Sequence, residues 1–230
     1  MKTNKNPLLN RYSLIIFDFD GTLCDTRNTI KYAMNETFKY FNFSIPNQTY
    51  LQKLIGTGTT LEKTIMLLHV NGIDEYQVQK WARTYRKIYS LKSSVYTRLF
   101  DGVEEVLLEA KRCNIKSVII SNKESKAIED SLRLFKIFDL VSLVIGGDHP
   151  LEKKPDPMTY NMIIKKQFDK ATTNSVLMVG DTVTDIKYAK NCEIDCAWVT
   201  YGYGGSEECK AENPDYIISH LKELQENGHG

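Results

Sequence analysis

The chain has no long apolar run, no excess of either charge and no even set of cysteines, and each shortage excludes a class of protein. No apolar run approaches the roughly 20 residues that cross a bilayer, so we expect no membrane-spanning segment. The first twelve residues are polar and lack the apolar stretch of a secretion signal. Lys and Arg number 30 against 29 Asp and Glu, so a net charge of +1 gives no general attraction to nucleic acid or an anionic membrane.

The five cysteines are an odd number, which does not suit a closed disulfide framework. Cys192 and Cys196 lie close together in the sequence, but no second pair accompanies them, and a zinc site is therefore not expected. Reduced thiols in the cytoplasm are the simplest interpretation. The remaining composition, with 42% hydrophobic and 26% charged residues, is typical of an ordinary soluble globular protein.

Four short runs are apolar on both alternating faces, which is typical of central parallel strands that are covered on both sides. Two further runs follow, and the six are Ser13–Phe17, Ser117–Ser121, Leu140–Ile145, Val176–Val179, Cys196–Val199 and Tyr216–Ile218. Helical periodicity lies between them, and Thr184 is expected to begin the helix that carries Ile186. This alternation predicts an α/β fold with a doubly wound, Rossmann-like parallel sheet.

Residues 25–94 break the alternation, because they contain one helical pattern after another and no convincing strand. The predicted helices cover Thr29–Tyr40, Thr60–Val70 and Glu75–Leu91. We therefore predict an α/β core formed by residues 1–24 and 95–230, with a smaller, all-helical cap formed by residues 25–94. Both connections of this insert flank the carboxyl end of the first strand, where open parallel sheets bind ligands, so the insert is placed to act as a lid.

Two carboxylates follow the first predicted strand, at Asp18 and Asp20, and Gly21 comes directly after them. Side chains at i and i+2 on an extended chain point to the same side, so both carboxylates are expected to enter the ligand crevice. Two neighbouring carboxylates repel each other unless a cation binds to them or one of them carries a proton. The alternative is a turn that caps a helix and binds nothing, since Asp and Gly are common in turns.

A second acidic group, Asp181 and Asp185, follows the fourth predicted strand. If that strand lies beside the first, Asp181 is brought near Asp18. Several carboxylates without a compensating base require a hard cation, and oxygen ligands suit Mg²⁺. Taken alone, either residue is better explained as a helix N-cap. The two clusters together favour the metal.

Two other segments offer groups for an anion. Ser121 and Asn122 follow the second predicted strand and supply a hydroxyl and backbone N–H groups near a helix start. Lys154 precedes a turn that Pro155 and Pro157 make rigid, so its ammonium can be aimed at one place. The alternative for a lysine is an ordinary solvated surface charge.

The order of these motifs resembles the four motifs of the haloacid dehalogenase superfamily of phosphohydrolases, and in particular its phosphoglycolate phosphatase-like branch with a helical cap. The matching segments are DFDGTL at 18–23, SN at 121–122, KPDP at 154–157 and GDTVTD at 180–185. The resemblance implies that Asp18 is a nucleophile that forms an aspartyl-phosphate. It also implies that Asp20 protonates the leaving oxygen and then activates water, and that Ser121, Asn122 and Lys154 hold the phosphoryl oxygens.

The resemblance further implies that Mg²⁺ is bound by Asp18, the main-chain carbonyl of Asp20 and Asp181, with Asp185 supporting this shell. Dehalogenases of the superfamily lack a carboxylate two residues after the nucleophile, and an acid is needed there only when an alkoxide leaves. The presence of Asp20 therefore indicates a phosphatase or a phosphomutase.

The leading interpretation is a Mg²⁺-dependent phosphatase of a small, phosphoglycolate-like phosphomonoester. The alternatives are a phosphomutase of the β-phosphoglucomutase type and a binding protein that keeps the fold without catalysis, although no motif is broken. The sequence shows no G-x-S-x-G elbow and no complete dinucleotide fingerprint. Gly56-Thr57-Gly58, inside the insert, is either a loop that reaches the substrate or a plain turn between helices. The pattern does not indicate the substrate or the oligomeric state.

Overall fold

The computed structural model describes residues 7–225, and their core is a six-stranded parallel sheet with strand order β5-β4-β1-β6-β7-β8. The strands are β1 (Leu14–Phe17), β4 (Lys116–Ile120), β5 (Leu143–Ile145), β6 (Val176–Gly180), β7 (Asp195–Val199) and β8 (Tyr216–Ile218). Chain order and spatial order differ in the way expected for a doubly wound sheet, in which β1 lies between β4 and β6. The predicted fold class is confirmed.

The strands are apolar on both faces because helices cover the sheet on both sides. Ile15 and Phe17 point into one hydrophobic cluster, which also contains Leu107 of a neighbouring helix. Leu14 and Ile16 point into a second cluster with Ile186 on the opposite face. The alternation of side chains along a strand thus divides β1 between two cores, and all four of its residues are buried.

The helices of this core are α5 (Val103–Arg112), α6 (Ser125–Leu134), α7 (Lys165–Gln167, preceded by a π-helical turn at Tyr160–Ile164), α8 (Val183–Cys192) and α9 (Ser206–Ala211). The prediction that Thr184 caps α8 is wrong. Thr182 is the N-cap, because it has an extended backbone and forms a capping box with Asp185. Strand β5 is also shorter than predicted, since Phe138–Leu140 forms a 3₁₀ turn before it.

Four helices lie between β1 and β4 in the chain: α1 (Arg27–Tyr40), α2 (Gln48–Ile55), α3 (Leu61–Leu68) and α4 (Glu75–Tyr96). They share a hydrophobic cluster of their own, which includes Met34, Leu51, Ile65 and Trp81. Helix α2 was not predicted. A short antiparallel ribbon, β2 (Cys24–Asp25) with β3 (Arg98–Leu99), joins the two ends of the helical segment where it leaves and re-enters the core.

The division into a core of residues 1–24 and 95–230 and a cap of residues 25–94 stays a prediction, and residues 1–6 and 226–230 lie outside the described part of the chain. The ribbon and the separate cluster of α1–α4 agree with boundaries near these positions. Within residues 7–225, no helix combines the length and the apolar character that crossing a membrane requires.

Candidate active site

The two acidic motifs meet because their strands are neighbours. β1 pairs in parallel with β6, with Phe17 opposite Val179, so Asp18 and Asp181 leave the same edge of the sheet. One carboxylate oxygen each from Asp18, Asp181 and Asp185 lies within 4.8 Å of the others, and all three residues are buried. The structure therefore brings together the acidic side chains that the sequence analysis expected to converge.

Lys154 lies inside this acidic group. Its Nζ donates hydrogen bonds to Asp18 Oδ1 at 2.7 Å and to Asp185 Oδ1 at 2.6 Å, and its side chain is only 2% exposed. Burial lowers the pKa of this ammonium, but the facing charges of Asp18 and Asp185 outweigh burial and raise the pKa above its ordinary value. Lys154 therefore stays charged, and its ammonium is directed at the Asp18 carboxylate.

The carboxylates are more costly to ionise than ordinary ones. Burial, followed by repulsion from Asp185, raises the pKa of Asp18 to about 6, although Lys154 opposes this rise. Burial and the charges of Asp185 and Asp18 likewise raise the pKa of Asp181 well above its usual range. The three buried carboxylates thus have one ammonium among them, which contacts Asp18 and Asp185, so acidic groups outnumber positive charges in this cluster.

The excess of carboxylates over ammonium groups is what a site for the predicted Mg²⁺ requires. The donors are hard carboxylate oxygens, and they converge within the range of a single ion. A divalent cation would offset the repulsion that raises the pKa values of Asp18 and Asp181. The donor set therefore fits Mg²⁺.

Asp181 is held firmly by groups from two parts of the chain. Its carboxylate accepts hydrogen bonds from Thr22 Oγ1 at 3.2 Å and from the Tyr203 backbone N–H at 2.7 Å. Gly21 lies against this carboxylate with a φ of +88°, and a Cβ there would collide with Asp181. Glycine is needed at this turn for the close approach as well as for the backbone angle.

Asp185 has a different environment. Its Oδ2 accepts from the Thr182 backbone N–H at 3.0 Å and the Thr182 hydroxyl at 2.8 Å, which caps α8, while Oδ1 accepts from Lys154. Both oxygens are therefore engaged within the protein. Asp185 thus orients Lys154 and the start of α8, and its implied role in supporting the shell around Mg²⁺ stays a prediction.

Asp20 points away from this cluster. Its carboxylate accepts a hydrogen bond from Thr26 Oγ1 at 2.6 Å and ion-pairs with Lys123, whose Nζ lies 3.1 and 3.2 Å from the two oxygens. Lys123 was not singled out in the sequence. The available signal was its position directly after Ser121 and Asn122, which places it at the same sheet edge.

The segment Gly56–Gly58 belongs to the site. Asn122 Nδ2 donates to the Gly58 carbonyl at 2.8 Å, and Thr184 Oγ1 donates to the Thr57 carbonyl at 2.7 Å. Two side chains from the core thus hold this loop of the helical segment against the sheet edge. Of the two interpretations that the sequence left open, the structure favours a loop that reaches the site.

A cavity of about 350 Å³ lies between the sheet edge and helices α1–α4. Asp18, Asp20, Ser121 and Lys154 line its floor. The opposite wall combines apolar and aromatic side chains, among them Ile30, Met34 and Tyr85, with polar and charged ones, among them Thr64 and Arg86. Such a cavity is large enough for a small metabolite and combines convergent polar groups with apolar surface, as binding sites commonly do.

Known proteins with this organisation were found in three comparisons. A family model described as haloacid dehalogenase-like hydrolase matches residues 15–199. A protein named phosphoglycolate phosphatase from Vibrio parahaemolyticus is 29% identical over 219 residues, covering 93% of this chain and 94% of that protein. A pyrophosphatase named PpaX from Oceanobacillus iheyensis is 30% identical over 210 residues, covering 91% of this chain and 94% of that protein.

Solved structures give the same result for the fold. A haloacid dehalogenase-like hydrolase from Bacteroides fragilis superimposes with a TM-score of 0.84 at 28% identity. The superposition covers 93% of this chain and 99% of that one. The predicted resemblance is thereby confirmed over nearly the whole chain.

Proposed function

This chain belongs to the haloacid dehalogenase-like hydrolases, and from that premise we propose that it is a Mg²⁺-dependent phosphatase of a small phosphomonoester, acting through an aspartyl-phosphate. The observation that carries the proposal is the pairing of Asp18 with Lys154 at 2.7 Å, on the floor of a cavity that Asp20 also lines. A nucleophile, a cation for the phosphoryl group and a proton donor would thereby act on one ester.

In the first half-reaction, Asp18 attacks phosphorus, so that a new oxygen–phosphorus bond forms while the ester oxygen leaves. Asp20 gives its proton to that oxygen as it departs. In the second half-reaction, water attacks the aspartyl-phosphate and gives a proton back to Asp20. Inorganic phosphate leaves and the Asp18 carboxylate is restored, so Asp20 ends the cycle in its starting state.

The phosphoryl oxygens are held by groups around the Asp18 carboxylate. Lys154 contacts one of its two oxygens, and Ser121, which is 5% exposed, lies at the adjacent strand end. The backbone of Asn122 would contribute an N–H group. The Asn122 side chain is engaged with the Gly58 carbonyl, so its amide serves the cap rather than the phosphate.

Asp18, Asp181 and the main-chain carbonyl of Asp20 would hold Mg²⁺, with Asp185 in support. When bound, the ion would offset the negative charge of the phosphoryl group and of the carboxylates around it. Asp181 suits this role because Thr22 and Tyr203 fix its orientation.

Helices α1–α4 would close over the bound ester and exclude water. The hydrogen bonds from Asn122 to Gly58 and from Thr184 to Thr57 are the contacts that would fasten the closed state. The cavity of about 350 Å³ limits the substrate to a small ester. Phosphoglycolate is the first candidate because several relatives are named for it, and pyrophosphate is the second because of the pyrophosphatase relative.

The test is phosphate release from a panel of esters that includes phosphoglycolate, sugar phosphates and pyrophosphate, with Mg²⁺ and with a chelator. We expect release from at least one ester with Mg²⁺ and its loss on chelation. No release from any ester, with and without Mg²⁺, would contradict the proposal. Isomerisation of a sugar phosphate faster than phosphate release would support the phosphomutase instead. A cytoplasmic location and the lack of a nucleic-acid partner stay predictions from composition.

A further inference from the structure

We propose that Lys123 is a positioning residue for Asp20, and that Tyr89 of the helical segment holds Lys123 in place. This inference rests on the proposed function, because it assigns Asp20 the proton-transfer role. Lys123 lies on the core, in the loop between β4 and α6, whereas Tyr89 lies on α4. The pair therefore spans the cavity and connects the orientation of Asp20 to the placement of the cap.

The first observation is the geometry of the ion pair. Lys123 Nζ lies 3.1 Å from Asp20 Oδ1 and 3.2 Å from Oδ2, so it contacts both oxygens. Thr26 Oγ1 adds a hydrogen bond to Oδ1 at 2.6 Å. A carboxyl group held at both oxygens has a fixed plane, and that plane determines which oxygen faces the ester and gives or takes the proton.

The second observation is that the backbone of Lys123 is anchored beside the phosphate-binding residues. Its carbonyl accepts a hydrogen bond from the Gly147 backbone N–H at 2.7 Å, and its own N–H donates to Ser121 Oγ at 3.4 Å. Lys123, which holds Asp20, thus belongs to the same short segment as the residues that would bind the phosphoryl group. A displacement of either one moves the other.

The third observation is the contact with the cap. Lys123 Nζ lies 3.9 Å from the centre of the Tyr89 ring, and the lysine side chain is 9% exposed. Burial lowers the pKa of this ammonium, but the charge of Asp20 and the neighbouring tyrosines outweigh burial and raise it. A buried, charged lysine is held by a carboxylate on one side and an aromatic face on the other.

The experiment compares Lys123→Met with Lys116→Met, a matched change at an exposed lysine at the start of β4. With an alkyl phosphomonoester, we expect Lys123→Met to lower kcat about 100-fold with little change in KM, as for a misplaced proton donor. Lys123→Arg should recover most of that loss, because a guanidinium keeps the charge and can stack on Tyr89. Lys116→Met should behave as the unaltered enzyme, and thermal unfolding of each variant confirms folding.

Two readouts separate positioning from a merely structural role. The first-turnover release of p-nitrophenolate from p-nitrophenyl phosphate needs no proton donor, so Lys123→Met should slow it less than about threefold. In an Asp20→Asn background, adding Lys123→Met should cause no further loss, because the residue it positions is gone.

Three results would overturn the inference. Equal losses with the alkyl and p-nitrophenyl esters would place Lys123 on the phosphoryl group, and additive losses in the Asp20→Asn background would show that Lys123 acts independently. A raised KM with unchanged kcat would make Lys123 a substrate-binding residue. In these cases the unaltered enzyme is still a phosphatase, so the proposed function survives. If the unaltered enzyme releases no phosphate from any ester, both proposals fail together.

Discussion

Two lysine–aspartate pairs lie at the same edge of the sheet, and they differ in what surrounds them. Lys154 pairs with Asp18 and Asp185 and has a side chain only 2% exposed. Lys123 pairs with Asp20, whose side chain is 22% exposed, and its other neighbour is the Tyr89 ring of the helical segment. The first pair is completed entirely by the α/β core, whereas the second depends on a residue from outside it.

Because their surroundings differ, the two lysine–aspartate pairs would have different roles in catalysis. In the proposed mechanism, the pair on the floor would set the charge of the nucleophile site, and it contains no residue of α1–α4. The second pair orients Asp20 only while α4 keeps Tyr89 against Lys123, so proton transfer would be tied to closure. The four predictions that follow test this division, from the largest expected effect to the smallest.

Replacing Asp18 should have the greatest effect on turnover. Asp18→Asn removes the nucleophile, so phosphate release should fall by about 10⁴-fold or more. Asp169→Asn, at an exposed aspartate distant from the cavity lining, is the matched control and should retain activity. Turnover of Asp18→Asn close to the unaltered rate would assign the nucleophile elsewhere.

The two lysines should differ in their effect on stability. Lys154→Met leaves the buried Asp18 and Asp185 without their cation, and without metal this should cost about 3–5 kcal/mol of unfolding free energy. Lys123→Met should cost less, because Asp20 is partly exposed and also bonded to Thr26. Urea unfolding in a chelator measures both. An equal loss in the two variants would remove the distinction between the pairs.

Mg²⁺ binding should depend on the acidic cluster around Lys154 and not on Lys123. At 100 times its dissociation constant, a ligand of the native state stabilises it by about 2.7 kcal/mol, so Mg²⁺ should raise the unfolding temperature of the unaltered protein. Asp181→Asn should lose this response, whereas Lys123→Met should keep it. Thermal unfolding with and without Mg²⁺ makes the comparison, and a response retained by Asp181→Asn would exclude that residue from the metal site.

The contact with the cap should give the smallest effect. Tyr89→Leu removes the aromatic face over Lys123, a contact that contributes on the order of 1–2 kcal/mol when desolvated, so kcat with an alkyl ester should fall roughly 5- to 30-fold. Tyr76→Leu, at a tyrosine of the same helix that is 76% exposed, is the control. If Tyr89→Leu leaves kcat unchanged, the Tyr89 ring does not contribute to the orientation of the Asp20 carboxylate.

The floor of the site could be predicted from the sequence because it follows from strand order. An apolar run that ends in an acidic residue specifies both a buried strand and its functional end, so Asp18 and Asp181 were expected to meet once β1 and β6 were placed side by side. Lys154 was identified for a similar reason, since a lysine before a proline-fixed turn has few orientations. These features are local in the sequence.

The second pair could not be predicted, because it depends on contacts between distant segments. Lys123 and Asp20 are separated by 103 positions, and although the position of Lys123 directly after Ser121 and Asn122 indicates the sheet edge, it does not indicate which residue Lys123 contacts there. Helix α2 was missed because it is only eight residues long, although Asn47 caps it through the Tyr50 N–H. The Thr184 error has a different, local cause, since Thr182 forms a capping box with Asp185 and the helix therefore begins earlier than predicted.

The most direct test of the account is to trap the covalent intermediate. The enzyme would be mixed with Mg²⁺ and a turned-over ester, quenched in acid within the first turnover, digested and analysed by mass spectrometry. The account predicts a phosphoryl group on the peptide that contains Asp18, in the unaltered protein and not in Asp18→Asn. Phosphate attached to a different peptide, or full turnover without any phosphorylated peptide, would contradict it.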